Sequence, residues 1–478
     1  TLVHSIRAAI SMHFRHSQRA AMTVFALSAA VLAADASAQT LGSLPSTPWW
    51  EELRDETLTE LLQTAMAENG DLDAAVARML QADAAADRAR AILLPSVSLD
   101  GQATTGPLDG LGFQFGGIPR GEGGSPTLPS LYYTGSANAR ARYRLSSWGS
   151  EYRTLKASRL EASASRGDED GVALDLVGQV AQTYLDVLSA AGQVEVIARQ
   201  LEVGEQLTEV SQFRYERGEA TALEVLQQRQ QLATLRATLP PAQVELRLAQ
   251  ARLETLLGRD PARTSVDLSA ELPPVPMASA SISSFDPLGR PDFRGAVNRS
   301  EAADERVSAA KWSVLPTVDL SANTGSQFFR SLATTTQSTW GASLTVSLPI
   351  WDGLDRSGRV REASANARAA RSSLEQRRLD AQGEVVSARI QQEGQQRQLS
   401  ALRDQLDASE RAFEESRRRY LAGLATVLDV LNAMNGMQQA ELGVIRTQRI
   451  ALASWIQLRQ AVGGPWTQGL RRRLLESS

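Results

Sequence analysis

One unit occurs twice in this chain of 478 residues, and that repetition limits its fold more than any other feature. Asn69-Gly70-Asp71-Leu72, Ala75-Val76 and Arg78 return 221 residues later as Arg290-Pro291-Asp292-Phe293, Ala296-Val297 and Arg299. The same offset carries Leu94-Pro95-Ser96-Val97-Ser98-Leu99 onto Leu315-Pro316-Thr317-Val318-Asp319-Leu320. Leu145 and Trp148-Gly149 fall on Leu348 and Trp351-Asp352 at an offset of 203. Arg214-Tyr215, Gly218, Ala220-Thr221 and Leu223-Glu224-Val225-Leu226 fall on Arg419-Tyr420, Gly423, Ala425-Thr426 and Leu428-Asp429-Val430-Leu431 at 205. The copies are expected at 39–258 and 290–463, joined by a Pro-, Ser- and Ala-rich linker at 259–289 and followed by a tail at 464–478.

Within each copy the hydrophobic period changes twice. Residues 72–92 and 293–312 are Ala-rich and read as helix, each stopped by a Leu-Pro step. Period two follows: Trp340, Ala342, Leu344, Val346, Leu348 and Ile350 alternate with Gly341, Ser343, Thr345 and Ser347, the pattern of a half-buried strand. Strand pairs are expected within 94–147 and 315–350, with exposed loops at 103–131 and 324–337. Two Pro-free segments, 149–216 and 354–421, then predict helices roughly 100 Å long at 1.5 Å per residue. Val180, Tyr184, Val187, Ala191, Val194, Ala198 and Leu201 keep coiled-coil spacing, as do Leu399, Leu402, Leu406, Ser409, Phe413, Ser416 and Tyr420. Gly218 and Gly423 break the pattern, and return helices starting at Thr221 and Thr426 complete the hairpins 149–258 and 354–463. Pro240-Pro241 is expected to kink the first return helix.

Composition removes most chemistry. A net charge of −4 gives no reason to expect nucleic acid as a partner. The chain has no Cys, and its His residues are His4, His13 and His16, all in the first segment. There Arg15 and Arg19 precede an apolar run from Ala20 to Ala34, and Ala36-Ser37-Ala38 offers a signal-peptidase site. Cleavage is expected before Gln39, which removes 1–38 and every His. Thiol, disulfide, imidazole and zinc chemistry then have no residues to use, and no cofactor or metal is expected. Neither Lys156 nor Lys311 follows a Gly, so no phosphate-cradling G-x-x-x-x-G-K loop is present and energy must come from a partner. Acidic pairs such as Glu51-Glu52 and Glu414-Glu415 read as solvated helix faces. No Cys follows the leader to carry a lipid anchor, and no later stretch is apolar for 18 residues, so membrane crossing is left to strands.

Four amphipathic strands cannot close a barrel, and an open sheet with an apolar outer face leaves its edges exposed. The chain is therefore expected to oligomerise. Three copies would give twelve strands and a water-filled lumen, with twelve long helices in a ring. At this point the residues resemble a known family, the outer-membrane efflux proteins, TolC-like ducts of tripartite exporters. The resemblance rests on Trp49-Trp50 with Asp55, Leu58, Leu61 and Asn69-Gly70-Asp71-Leu72, on Leu256-Leu257-Gly258-Arg259, on Arg290-Pro291-Asp292, and on Arg419-Tyr420 with Gly423 and Leu428-Asp429-Val430-Leu431. It implies a mainly α fold with β, in which helical hairpins form an α-barrel in the periplasm and each chain gives four strands to a trimeric twelve-stranded β-barrel. It implies as partners outer-membrane lipid, a periplasmic adaptor and an inner-membrane pump of the resistance-nodulation-division type.

The resemblance places a periplasmic gate at Asp429, Asn432 and Tyr420, and adaptor docking at the tips marked by Gly218, Thr221, Gly423 and Thr426. Asn432 stands where the family has a second acid, so a trimer would carry three tip charges instead of six. Thr426 with Asp429 and Thr221 with Glu224 also have the spacing of capping boxes, which by itself explains the acids. Arg140, Arg142 and Arg144 alternate with Ala139, Ala141, Tyr143 and Leu145. Lipid cannot hold the Arg face, so it is expected to line the lumen, either as a cationic collar or paired with Asp100 and Asp319. The leading expectation is a passive exit duct for small toxic solutes. The duct of a type I protein secretion system and a periplasmic coiled-coil scaffold remain as alternatives, and an enzyme is not expected.

Overall fold

The computed structural model describes residues 48–107, 131–262, 271–276, 286–330 and 334–476, which belong to one unit. The expected leader and most of the expected linker lie outside the described residues. Helices α1 (Glu56–Glu68) and α2 (Gly70–Ala91) lead into strands β1 (Ser96–Pro107) and β2 (Leu131–Ser146). The hairpin α3 (Ser150–Glu216) and α4 (Ala222–Leu256) follows. The second copy runs α5 (Pro291–Trp312), β3 (Thr317–Arg330), β4 (Thr334–Ser347), α6 (Asp355–Leu421) and α7 (Val427–Val462), and a short helix α8 (Leu470–Glu476) ends the chain. The long helices α3 and α6 are each 67 residues, roughly 100 Å.

The four strands form one antiparallel meander in the order β1-β2-β3-β4, so β1 and β4 are open edges. The expected loop at 324–337 is largely strand instead: β3 continues to Arg330 and β4 begins at Thr334. Composition misled here, because a stretch rich in Gly, Ser and Thr reads as loop. In the sheet their short side chains pair across strands, as Ser326 and Ser338 do at 3.1 Å, while the backbone ladder holds the extension. At the other end, β4 stops at Ser347, two residues before Pro349, so Leu348 and Ile350 lie beyond the strand.

The helices form a layer in which α4 packs on α3, α3 on α7, and α7 on α6. The heptad expectation for α6 matches the covered stripe from Leu399 to Tyr420. On α3 it matches Val180 to Val187, and then the buried line moves to Val196, Gln200, Gly204, Leu207 and Ser211 while Ala198 is exposed. The cause is that α3 is covered by α4 on one side and α7 on the other, so a single seam does not describe it.

Two apolar cores result. One, at the level of α1 and α8, gathers Leu58, Leu62, Val177, Leu188, Leu253 and Ile456. Trp49 and Trp50 anchor it, with edge-on rings 6.0 Å from Trp455 and 5.7 Å from Trp466. This gives the Trp49-Trp50 opening a structural role: it fastens the start of the chain to the end of α7, helped by the ion pair between Arg459 and Glu52 at 2.7 Å. The second core lies near the tips and contains Leu207, Leu235, Phe413, Tyr420, Val427, Val430, Leu431 and Met434. Between them is a cavity of about 1020 Å3 whose lining includes Gln193, Pro240, Pro241, Gln438 and Arg446. Helix α4 runs through both prolines as one continuous helix.

Candidate functional site

Both hairpin tips are built the same way, from residues whose local chemistry leaves little choice. Gly218 and Gly423 adopt φ of 75° and 74°, the left-handed region that a side chain disfavours. Each closes its helix with a paired C-cap: Glu219 N–H donates to the Arg214 carbonyl at 2.8 Å, and Leu424 N–H to the Arg419 carbonyl at 2.8 Å. The return helices start on capping boxes. Thr426 Oγ1 accepts from Asp429 N–H at 3.3 Å, and the Asp429 carboxylate accepts from Thr426 N–H at 2.9 Å and from its hydroxyl at 2.7 Å. These bonds hold the Asp429 carboxyl below the usual carboxylate range, first through the Thr426 hydroxyl and then through its amide. Thr221 and Glu224 repeat the box at the first tip.

The tips differ in one respect. Tyr215 is 45% exposed, whereas its repeat partner Tyr420 is fully buried. Tyr420 turns toward the first hairpin, where its hydroxyl lies 3.2 Å from Ser211 Oγ and its carbonyl accepts from Arg214 at 3.2 Å. The Arg214 guanidinium also stacks over the Tyr420 ring at 4.8 Å from its centre. Ser211 and Arg214 were not singled out in the sequence, although Arg214 lies in the repeated Arg-Tyr pair. Asp429 and Asn432 are both exposed, on the first turns of α7. Beside them Leu424 is 79% exposed, and Leu421, Leu428, Leu223 and Leu226 also face outward. Leu223, Leu226 and Leu428 were read in the sequence as part of the repeat and not as surface, and Leu421 and Leu424 were not singled out.

In the sheet, register settles which residues share a face. The row Ser96, Arg142, Ser321, Ser343 crosses all four strands, and Ser98, Arg140, Asn323, Gly341 lies next to it. The opposite face carries Val97, Leu99, Ala139, Ala141, Tyr143, Leu320, Trp340, Leu344 and Val346. Within β4 this apolar face runs from Trp340 to Val346. Arg144 bonds Asp319 and Glu151, each at 2.9 Å, and Arg140 lies 3.9 Å from Asp100. Among the described residues no acid is paired with Arg142. Among those residues, too, no helix is long and apolar enough to cross a membrane, and no group of three ligating side chains could hold a metal.

A sheet with one greasy and one charged face, continued by paired 100 Å helices, is the architecture of a TolC-like outer-membrane channel. The family model for outer membrane efflux proteins matches residues 61–259 and 288–464, and the chain belongs to that family. Among curated relatives, the pyoverdine export outer membrane protein OpmQ of Pseudomonas putida is 31% identical over 435 residues, covering 89% of each chain. Among solved structures, the outer-membrane channel OprN superposes with a TM-score of 0.74 at 25% identity, covering 91% of this chain and 96% of that one. VceC of Vibrio cholerae shares the fold with a TM-score of 0.74 at 24% identity, over 88% and 99%. The protein is thus a channel of the outer membrane and not an enzyme, and the soluble scaffold alternative is set aside.

Proposed function

We propose that three copies join head to tail into one passive duct that carries small toxic solutes out of the cell, driven by an inner-membrane pump through a periplasmic adaptor. The observation that carries this is the pair of unmatched edges. In the sheet, β1 and β4 each lack a neighbour. In the helical layer, the outer members α4 and α6 each keep an exposed apolar stripe, Val244 and Leu248 on one and Leu379, Val386 and Ile390 on the other. Each edge would be covered by the other edge of a second copy, and a head-to-tail contact of this kind ends in a ring when the rotation between copies closes. Twelve strands leave an aqueous lumen where eight would fill their own.

At the periplasmic end, Tyr420 in its Ser211–Arg214 seat is the latch that holds the second hairpin against the first, with Asp429 and Asn432 bordering the opening. The exposed tip leucines around Gly218 and Gly423, with the starts of α4 and α7 at Thr221 and Thr426, form the adaptor-docking surface. The export of pyoverdine by a relative supports a small-molecule cargo, and a pump of the resistance-nodulation-division type is the fitting engine. The test is conductance in planar bilayers. Wild-type trimers are expected to conduct in small steps, and Tyr420→Phe and Ser211→Ala trimers in larger or more frequent ones. Absence of current from both would overturn the duct. Since the chain has no Cys, Leu424→Cys offers a single crosslinking site for adaptor capture in whole cells.

A further inference from the structure

The three lumen arginines are not equivalent, and their differences point to a binding row. Arg144 is held between Asp319 and Glu151 at 2.9 Å each, so its charge is spent within the wall. Arg140 shares its charge with Asp100. Arg142 stands in a row whose other members are all serines: Ser96 on β1, Ser321 on β3 and Ser343 on β4. Ser321 and Ser343 hydroxyls lie 2.8 Å apart, so the hydroxyl line is continuous on that side of Arg142. We infer that this row is an anion-binding belt that selects solutes bearing a carboxylate, phosphate or sulfonate group.

The inference rests on the duct reading, because only a closed barrel turns the row into a ring. One guanidinium and three hydroxyls per chain give a trimer three guanidiniums and nine hydroxyls at one height. A guanidinium presents a planar fork of donors that matches an oxyanion, and serine hydroxyls rotate to donate to the oxygens left over. Ser96, Arg142 and Ser343 are exposed and Ser321 is half-buried, so binding is shallow and a solute that enters can leave, which conduction requires. The second copy carries Thr345 at the position of Arg142 in the repeat, so the first copy alone makes the belt cationic.

The test uses trimers carrying Asp429→Asn, so that no acid ring at the tips contributes, in planar bilayers under a KCl gradient and then a potassium phosphate gradient. The reversal potential is expected to lie on the anion side in both salts. Arg142→Thr, which copies the second repeat, is expected to move it to the cation side or to zero, and Arg142→Lys to keep it. A reversal potential that shows no anion preference, or one that Arg142→Thr leaves in place, would overturn the belt while the current itself keeps the duct. Trimers that pass no current would remove the duct and the belt together.

Discussion

At the scale of single residues, the tip chemistry makes two predictions. Tyr420→Phe removes the partner of a fully buried Ser211 hydroxyl, which should cost on the order of 1–2 kcal/mol. Tyr420→Ala also empties the space of a buried ring and should cost roughly 3–5 kcal/mol. Hydrogen exchange over 413–434 measures both, with the order wild type, Phe, Ala from most to least protected. The pH dependence of Asp429 follows from the sign of its shift. A carboxyl held below its unfolded value keeps its cap bonds above the ordinary carboxylate range and loses them only as pH falls through the depressed value. Protection of the Thr426 and Asp429 amides, the two that the box engages, should therefore be level from neutral pH to about pH 5 and fall in stronger acid. Protection that declines between those limits would show that the cap is not the holder of the charge.

The caps and reversing glycines were legible because their chemistry is local: Thr-x-x-acid and a Gly after a long helix mean the same thing in any fold. Tyr420 was legible as half of a repeated Arg-Tyr pair and as the last seam position of its helix, but its partners Ser211 and Arg214 were not. They are decided by what the second hairpin leans on. The same holds for the arginines, whose alternation predicted a shared face but not which of them meet acids. Asp319 and Glu151 reach Arg144 only through a strand pairing between the copies and the turn into α3.

At the scale of elements, Arg290 and Asp292 show why the repeated start of α5 is charged. Arg290 donates to both Asp292 oxygens at 3.0 Å, to Glu384 on α6 at 2.5 Å and to the Ala461 carbonyl on α7 at 3.2 Å. Burial raises the Asp292 carboxyl, and the Arg290 bonds and charge more than offset it, so the net shift is downward. Arg290→Ala leaves that partly buried acid without its partner and frees α5 from the second hairpin. It should lower trimer stability by roughly 2–4 kcal/mol, read as earlier heat dissociation. Helix α4 makes the opposite prediction. Pro240 and Pro241 supply no N–H to the helix beside the cavity between the cores, so Pro240→Ala should raise stability, by up to about 3 kcal/mol if the ring strain is fully relieved. A fall in dissociation temperature would mean that the prolines fit their neighbours better than a regular turn does. The long helices and their ends were legible from Pro-free length and coiled-coil spacing. The upper strands were not, because hydroxyl-rich extension and loop share a composition and only pairing separates them.

At the scale of the whole molecule, one chain has a sheet with two unpaired edge strands and a helical layer with two outer members, α4 and α6. The sequence disclosed the four strands and the need for closure, while the register that divides lipid face from lumen face required the sheet itself. The most direct measurement is the mass of the mature protein extracted from outer membranes in mild detergent, compared before and after boiling. A complex of three mature chains that separates only on boiling is the predicted result, since separating the copies would open both the sheet and the helical layer of each. A monomer or dimer that boiling does not change would contradict it, because β1 and β4 would then close no shared barrel.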